Sequence, residues 1–210
     1  MVRLITALFG MTLGFAVYAA EPFVEGTHYD PVVPAQPTSA GPGEVEMLEF
    51  FWYGCPHCFA FETYVEGYLE EKPDAVKFVR VPAILNPTWA LYARAFYTAE
   101  TLDVFDKFHR PFFNAIHVDQ QAIGNEDAVA AFFTQTTGVS DEDFRKTFNS
   151  FAVTAKVQRA DVLTKRYRIM GVPTVAVAGK YKNNSRGVRN YEDLINIGKY
   201  LVNRELQGKE

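Results

Sequence analysis

The stretch FFWYGCPHCFAFE, residues 50–62, contains both cysteines of this 210-residue chain. Cys55 and Cys58 are separated only by Pro56 and His57. A disulfide between them would close a very small loop, and such loops stabilise a folded chain little, so a structural staple is a weak explanation. A structural zinc site needs four ligands, and no histidine has finger-like spacing relative to this pair. We therefore favour a redox-active pair.

The flanking residues predict a strand that ends, and a helix that begins, at the first cysteine. VEMLEFFWY (45–53) is short, apolar and aromatic, and apolar residues at helical spacing follow the pair. Pro56 suits the first turn of a helix, where a missing N–H leaves no bond unmade. The backbone N–H groups of His57 and Cys58 would then point at the sulfur of Cys55, and with the helix dipole they favour its thiolate. His57 adds a donor, and a positive charge when protonated.

This environment predicts different roles for the two sulfurs. A stabilised thiolate is a good leaving group, so a disulfide that contains Cys55 would be easily reduced and strongly oxidising. Cys58 lies further into the first helical turn and is expected to be the less exposed, resolving sulfur.

Composition and charge favour a single globular domain. The chain is 48% hydrophobic and 22% charged, and its 18 phenylalanines predict an aromatic core. Its net charge is −4, with lysine and arginine spread along the sequence. The clustered basic face of a nucleic-acid-binding protein is therefore not expected.

Residues 1–19 have the pattern of a signal peptide. A positive start at Arg3 precedes a mainly apolar run, and the small residues Ala19 and Ala20 are the expected cleavage points. The run is shorter than the roughly 20 residues of a membrane-spanning helix. An uncleaved membrane anchor is the alternative.

The rest of the chain divides by composition and periodicity. Residues 20–44, rich in proline, glycine and small polar residues, are predicted to form an extended lead-in. Residues 45–84 contain two strands around the cysteine helix, residues 85–160 form a block of helices, and residues 161–210 return to strand and a closing helix. This order predicts an α/β domain with a helical insertion. Residues expected to cap or end helices are Asn86, Gly138, Ser140, Gly171 and Asn190.

Three features in this order resemble the DsbA family of thiol:disulfide oxidoreductases: EFFWYGCPHCFAFE (49–62), the helical insertion, and GVPT (171–174). The resemblance covers essentially all of the chain after the signal peptide. It implies a thioredoxin-like fold, a periplasmic location, and donation of a disulfide to exported proteins with free thiols. It also implies reoxidation by a quinone-linked membrane partner, DsbB. A monomer without metal, cofactor or nucleic acid is expected.

The resemblance also implies roles for residues outside the pair. Val172-Pro173 matches a cis-proline motif whose backbone would face Cys55 and pair with an extended client peptide; a trans proline at a strand start is the alternative. Glu49 stands on an apolar strand, where burial raises a carboxyl pKa, and the family carries a buried acid here that helps to move protons to and from the resolving cysteine. A tolerated strand glutamate is the alternative. The family often places a lysine nearby, whereas this chain has Arg80, which suits a fixed counter-charge better than a proton carrier.

Other residues near the pair have plainer interpretations. Trp52, Tyr53 and Phe59 form either an apolar surface for unfolded chains or part of the core. His109 and His117 are interpreted as ordinary residues of the insertion and not as ligands.

Three other functions remain open from the sequence. The first is a disulfide isomerase or reductase on the same fold, although the stretch 21–44 is too short for the dimerisation domain that periplasmic isomerases carry before the first strand. The second is a peptide-binding module whose cysteines are incidental. The third is a metal carrier that uses Cys55 and Cys58.

Overall fold

The computed structural model describes residues 22–208, so the predicted signal peptide 1–19 lies outside the described residues. Across residues 22–208 the structure has five strands in one sheet, and no helix there is long and apolar enough to cross a membrane. The strands are β1 (Tyr29–Pro31), β2 (Val45–Phe51), β3 (Val76–Pro82), β4 (Thr174–Val177) and β5 (Tyr181–Asn183). The helices are α1 (Pro56–Glu71), α2 (Ala90–Thr101), α3 (Phe105–His117), α4 (Glu126–Thr137), α5 (Asp141–Phe148), α6 (Phe151–Arg166) and α7 (Tyr191–Gln207).

The central strand β2 positions the site. The strand order is β1-β5-β4-β2-β3, with β2 parallel to β3 and antiparallel to β4. All seven residues of β2 are buried, which explains why its sequence is nearly continuous in apolar residues. In the register of the sheet Glu49 lies opposite Arg80 on β3 and Val175 on β4.

Two apolar clusters cover the two faces of the sheet. Met47, Val65 and Leu201 belong to the cluster under α1 and α7. Leu48 and Phe50 belong to the cluster formed with the helical block α2–α6. The predicted aromatic core is confirmed, because the fully buried side chains include Phe96, Phe108, Phe112, Phe113, Phe133 and Phe144.

Most predicted helix boundaries are confirmed by their caps. Asn86 accepts a hydrogen bond from the N–H of Thr88 at the start of a 3₁₀ turn (Pro87–Trp89), and Gly138 ends α4 with a φ of +79°. Ser140 and Asn190 begin α5 and α7 by accepting bonds from backbone N–H groups. These polar side chains satisfy donors that the first helical turn leaves unpaired.

The predicted helix end at Gly171 is wrong. α6 ends at Arg166, and Arg168 takes the left-handed conformation, with a φ of +49°, that was expected of a glycine. Lys182 of β5 explains this end, because its Nζ donates to the carbonyl oxygens of Tyr167 and Arg168 at 2.9 and 2.8 Å. A distant lysine thus satisfies carbonyls that a helix terminus leaves free.

The lead-in contains a strand that its composition did not predict. β1 pairs antiparallel with β5 at the edge of the sheet, with Tyr29 opposite Asn183. Tyr29 is buried, and its hydroxyl lies 2.7 Å from Nη1 of Arg204 on α7. At the other boundary, α6 is continuous across residues 160 and 161, where the helical insertion was predicted to end.

Candidate active site

The two cysteines lie at the junction of β2 and α1. Cys55 is the N-cap residue of α1, with φ −94° and ψ 116°, and Pro56 follows it in the first turn as predicted. Both cysteines are unbridged thiols. Cys55 is 9% exposed and Cys58 is fully buried, so the expected difference in exposure is observed.

The surroundings shift the pKa values of the two thiols in opposite directions. The Cys58 thiol, the backbone N–H groups of Cys58 and His57, and the charge of His57 together lower the pKa of Cys55 to about 6, against the effect of its partial burial. Burial raises the pKa of Cys58 well above its usual value, and its hydrogen bond to Cys55 adds to this. At neutral pH the outer sulfur is therefore a thiolate and the inner sulfur a thiol.

The cis-proline loop stands beside the outer sulfur. The Val172–Pro173 peptide bond is cis, and the carbonyl oxygen of Val172 lies 3.5 Å from Sγ of Cys55. The loop also borders a cavity of about 650 Å³ whose wall includes His57, Val172, Pro173, Asn183, Tyr191 and Leu194.

His57 is exposed on α1 and contacts a helix from the far end of the chain. Its Nδ1 lies 2.9 Å from the hydroxyl of Tyr191, the first residue of α7. No sequence pattern links these two residues, which are 134 positions apart.

A group of polar side chains, here called the buried charge cluster, lies beneath the cysteines: Glu49, Tyr53, Glu62, Arg80 and His109. Arg80 bridges the two carboxyl groups, with Nε 3.4 Å from Glu49 and Nη2 3.0 Å from Glu62. Nε2 of His109 lies 3.1 Å from the other oxygen of Glu62, and Nδ1 lies 2.7 Å from the hydroxyl of Tyr53. Both glutamate side chains are fully buried, so whether each carboxyl group is charged or protonated depends on these partners.

The buried charge cluster holds one proton on Glu49 and one negative charge on Glu62. Burial, together with the Glu62 carboxylate, raises the pKa of Glu49 to about 8 although Arg80 opposes this. Burial also acts to raise the pKa of Glu62, but His109 and Arg80 outweigh it and hold this pKa at about 2. Burial lowers the pKa of His109. Arg80 is thus the counter-charge of Glu62 first and of Glu49 second.

Two members of the buried charge cluster were not expected from the sequence. His109, interpreted as an ordinary residue of the insertion, is 4% exposed and contacts Glu62 directly. Glu62 follows Cys58 by one helical turn on the buried side of α1. The sequence could have indicated both residues, because each is a polar residue on an apolar helix face. His109 stands between phenylalanines of α3, and Glu62 stands between Phe61 and Val65 of α1.

The aromatic residues beside the cysteines differ in exposure. Tyr53 is fully buried and is not part of an apolar surface. Trp52 is half-buried and stacks on Trp89, with ring centroids 4.2 Å apart and an interplanar angle of 3°. A Cβ atom at Gly54 would lie 2.4 Å from the ring of Trp52, so only glycine fits before Cys55 with this packing.

Comparison with known proteins places these features in a family. Residues 75–196 match the family model of the DSBA-like thioredoxin domain. The thiol:disulfide interchange protein DsbA of Pseudomonas syringae pv. tomato is 37% identical over 199 residues, which are 95% of this chain and 90% of that protein. The DsbA of Pseudomonas aeruginosa PAO1 is 34% identical over 203 residues, 96% of this chain and 95% of that protein.

Solved structures agree with this likeness. A crystal structure of Pseudomonas aeruginosa DsbA superposes with a TM-score of 0.83 at 34% identity, covering 90% of this chain and 97% of that one. Oxidoreductase DsbA from Xylella fastidiosa superposes with a TM-score of 0.81 at 32% identity, covering 88% and 97%. The predicted thioredoxin-like fold with a helical insertion is confirmed, and the isomerase and binding-module alternatives are not favoured. The matched lengths and the two unequal sulfurs lead to one conclusion: the chain belongs to the DsbA family and is a thiol:disulfide oxidoreductase of the protein dithiol oxidase type.

Proposed function

We propose that this oxidoreductase donates a Cys55–Cys58 disulfide to exported proteins in the periplasm, with Cys55 as the sulfur that clients attack. The observation that carries this proposal is the inequality of the two sulfurs. Cys55 is 9% exposed with a pKa of about 6, whereas Cys58 is fully buried with a raised pKa. A client reaches only the outer sulfur, and the outer sulfur is the better leaving group.

The exchange is a transfer of two electrons in two steps. A client thiolate attacks Sγ of Cys55, the disulfide breaks, and its electron pair goes to Sγ of Cys58. The second client thiolate then attacks the client sulfur of the mixed disulfide, and Cys55 leaves as a thiolate. The client gains a disulfide, and the protein keeps the two electrons as a dithiol.

Glu49 supplies the proton that the first step requires. Burial disfavours a thiolate at Cys58, so this sulfur leaves more easily when it is protonated. Glu49 has a pKa of about 8 and carries a proton at neutral pH, and its charge is close enough to affect the pKa of Cys58. The same carboxylate takes the proton back when the dithiol is reoxidised.

The cavity between His57 and the cis-proline loop is the place for an extended client segment. Val172 brings its backbone to within 3.5 Å of Cys55 Sγ, and main-chain pairing there does not depend on the client's side chains. Val172 and Pro173 are therefore proposed as client-binding residues, which suits an enzyme with many unfolded substrates.

The cellular setting is part of the same proposal. The N-terminal sequence pattern supports export, and the curated relatives named DsbA support a client population of thiol proteins. The dithiol form needs an external oxidant, for which we propose a quinone-linked membrane protein like DsbB. We propose that the protein acts as a monomer without a cofactor.

Trapping of clients tests the assignment of the two sulfurs. Cys55 of Cys58→Ser is first converted by oxidised glutathione to a mixed disulfide, from which a client thiolate then displaces glutathione. Because Cys58 is absent and cannot reverse this step, covalent complexes with thiol proteins should accumulate on a non-reducing gel. Cys55→Ser is the matched control and should trap none. Complexes that form only with Cys55→Ser would reverse the assignment, and complexes with neither variant would refute disulfide donation by this pair.

A further inference from the structure

The side chain of His57 is held from outside its own helix. His57 lies on the solvent side of α1, between the two cysteines, and is exposed. Its Nδ1 makes a 2.9 Å hydrogen bond with the hydroxyl of Tyr191 on α7. An exposed histidine without such a partner would sample several rotamers, so this bond selects one position of the imidazole.

Tyr191 is well placed to act as an anchor. It is the first residue of α7, directly after Asn190, whose side chain accepts a 2.7 Å hydrogen bond from the N–H of Asp193. The centroid of its ring lies 6.2 Å from that of Phe61, which is fully buried, and 5.9 Å from that of Tyr64. The hydroxyl is therefore presented by a capped helix end that packs on α1.

We propose that Tyr191 is a positioning residue for thiol–disulfide exchange, whose hydroxyl holds the His57 imidazole beside Cys55 and thereby stabilises the dithiol form. The inference rests on the proposed function, because Tyr191 is argued to support His57, the neighbour of the sulfur that clients attack. The charge of His57 and its backbone N–H both favour the Cys55 thiolate. Holding the ring in one place keeps the charge at a constant distance from the sulfur.

A phenol suits this task in both protonation states of the imidazole. Its O–H donates to Nδ1 when the histidine is neutral, and its oxygen accepts from Nδ1–H when the histidine is charged. A phenylalanine at position 191 would keep the ring contacts with Phe61 and Tyr64, but it could neither donate a hydrogen bond to Nδ1 of His57 nor accept one from it. The hydroxyl alone is therefore the group to remove.

The substitution Tyr191→Phe, with Tyr64→Phe as matched control, tests the role of the hydroxyl. The equilibrium constant of the Cys55/Cys58 pair against glutathione should shift toward the disulfide by about 2- to 10-fold, the effect of one hydrogen bond. The Cys55 pKa, followed by thiolate absorbance, should rise in the same variant. Tyr64→Phe should leave both quantities unchanged, because its hydroxyl does not contact His57.

A double-mutant cycle separates a role through His57 from any other role of Tyr191. In a His57→Ala background, Tyr191→Phe should have no further effect on the glutathione equilibrium. The same shift in both backgrounds, or an equilibrium constant of Tyr191→Phe within experimental error of the wild type, would overturn the proposal. If Tyr191→Phe does not fold, nitrogen NMR of the wild-type His57 decides instead: a hydrogen-bonded Nδ1 supports the proposal, and a freely exchanging tautomer pair refutes it. Failure of the proposed function is distinct, since Cys58→Ser would then trap no client proteins, whereas the effect of Tyr191→Phe on the glutathione equilibrium would still be measurable.

Discussion

Nε2 of His109 lies 3.1 Å from Oε1 of Glu62, which joins helix α3 of the helical block to the first helix of the cysteine site. The other imidazole nitrogen, Nδ1, lies 2.7 Å from the hydroxyl of Tyr53. These distances fit a neutral histidine that accepts from Tyr53 and directs its N–H dipole at the carboxylate. His109 thus helps to keep the negative charge of the buried charge cluster on Glu62 and leaves the proton on Glu49.

His109→Leu is expected to lower the free energy of unfolding by about 1–3 kcal/mol at pH 7, because Glu62 and Tyr53 each lose a buried polar partner. Urea unfolding measures this change, and His28→Leu, far from the buried charge cluster, is the control. Equal stability of His109→Leu and the wild type would show that the 3.1 Å contact contributes nothing.

Glu49→Gln is expected to change the dependence of stability on pH. Burial raises the pKa of Glu49 from 4.5 to about 8, so the folded protein keeps a proton that the unfolded chain releases. The stability from this proton is therefore fully present below pH 4.5, is lost as pH rises through about 8, and levels off only above that value. Glutamine has no proton to lose, so the variant should be more stable than the wild type at pH 8, by on the order of 1–3 kcal/mol.

The prediction is tested by a series of unfolding curves between pH 4.5 and 8. Glu66→Gln, on the outer side of α1, is the control for the loss of one carboxylate. Wild type and Glu49→Gln should converge at the acid end. A stability difference of the same size at every pH would contradict a protonated Glu49.

Glu49→Gln is also expected to slow the reduction of the disulfide, because glutamine does not donate a proton to Cys58 as it leaves. General acid catalysis contributes about 10²-fold or more where it operates, and a loss of at least tenfold is expected here. Stopped-flow fluorescence with a dithiol peptide measures the rate, and far-ultraviolet circular dichroism confirms that the variant folds. An unchanged rate would return Glu49 to a purely structural role.

Two substitutions at Cys58 are expected to affect Cys55 differently. The hydrogen bond from the Cys58 thiol is the largest cause of the lowered Cys55 pKa, which is about 6. Cys58→Ala removes this donor, whereas Cys58→Ser keeps a hydroxyl in its place. The pKa of Cys55, measured from the pH dependence of alkylation by iodoacetamide, should rise clearly in Cys58→Ala and less in Cys58→Ser. Equal values in the two variants would assign the shift to the helix terminus and His57.

Local patterns were sufficient to predict the centre of the site. Cys55, Pro56 and Cys58 are neighbours in sequence, and their geometry follows from a strand that ends where a helix begins. Helix caps such as Ser140 act within three residues, so the sequence alone indicates them.

Contacts between distant segments were beyond such patterns. Tyr191 reaches His57 only because α7 packs on α1, and His109 reaches Glu62 only because the helical block docks on the sheet. The early end of α6 and the pairing of β1 likewise depend on β5, through Lys182 and Asn183. The partners of Tyr191, His109, the end of α6 and β1 are set by tertiary packing, which local propensity and hydrophobic periodicity do not predict.

α6 leads from the helical block to the cis-proline loop. It is one uninterrupted helix up to Arg166, and only residues 167–171 separate its end from the Val172–Pro173 bond. Nζ of Lys182 donates hydrogen bonds to two carbonyl oxygens of this short linker. In the last turn of α6, the hydroxyl of Thr164 accepts a 3.2 Å hydrogen bond from the N–H of Ile84, just beyond β3. The end of α6 and the start of the linker are therefore both tied to the sheet region, so contacts with two other segments of the chain set its approach to the Val172–Pro173 bond.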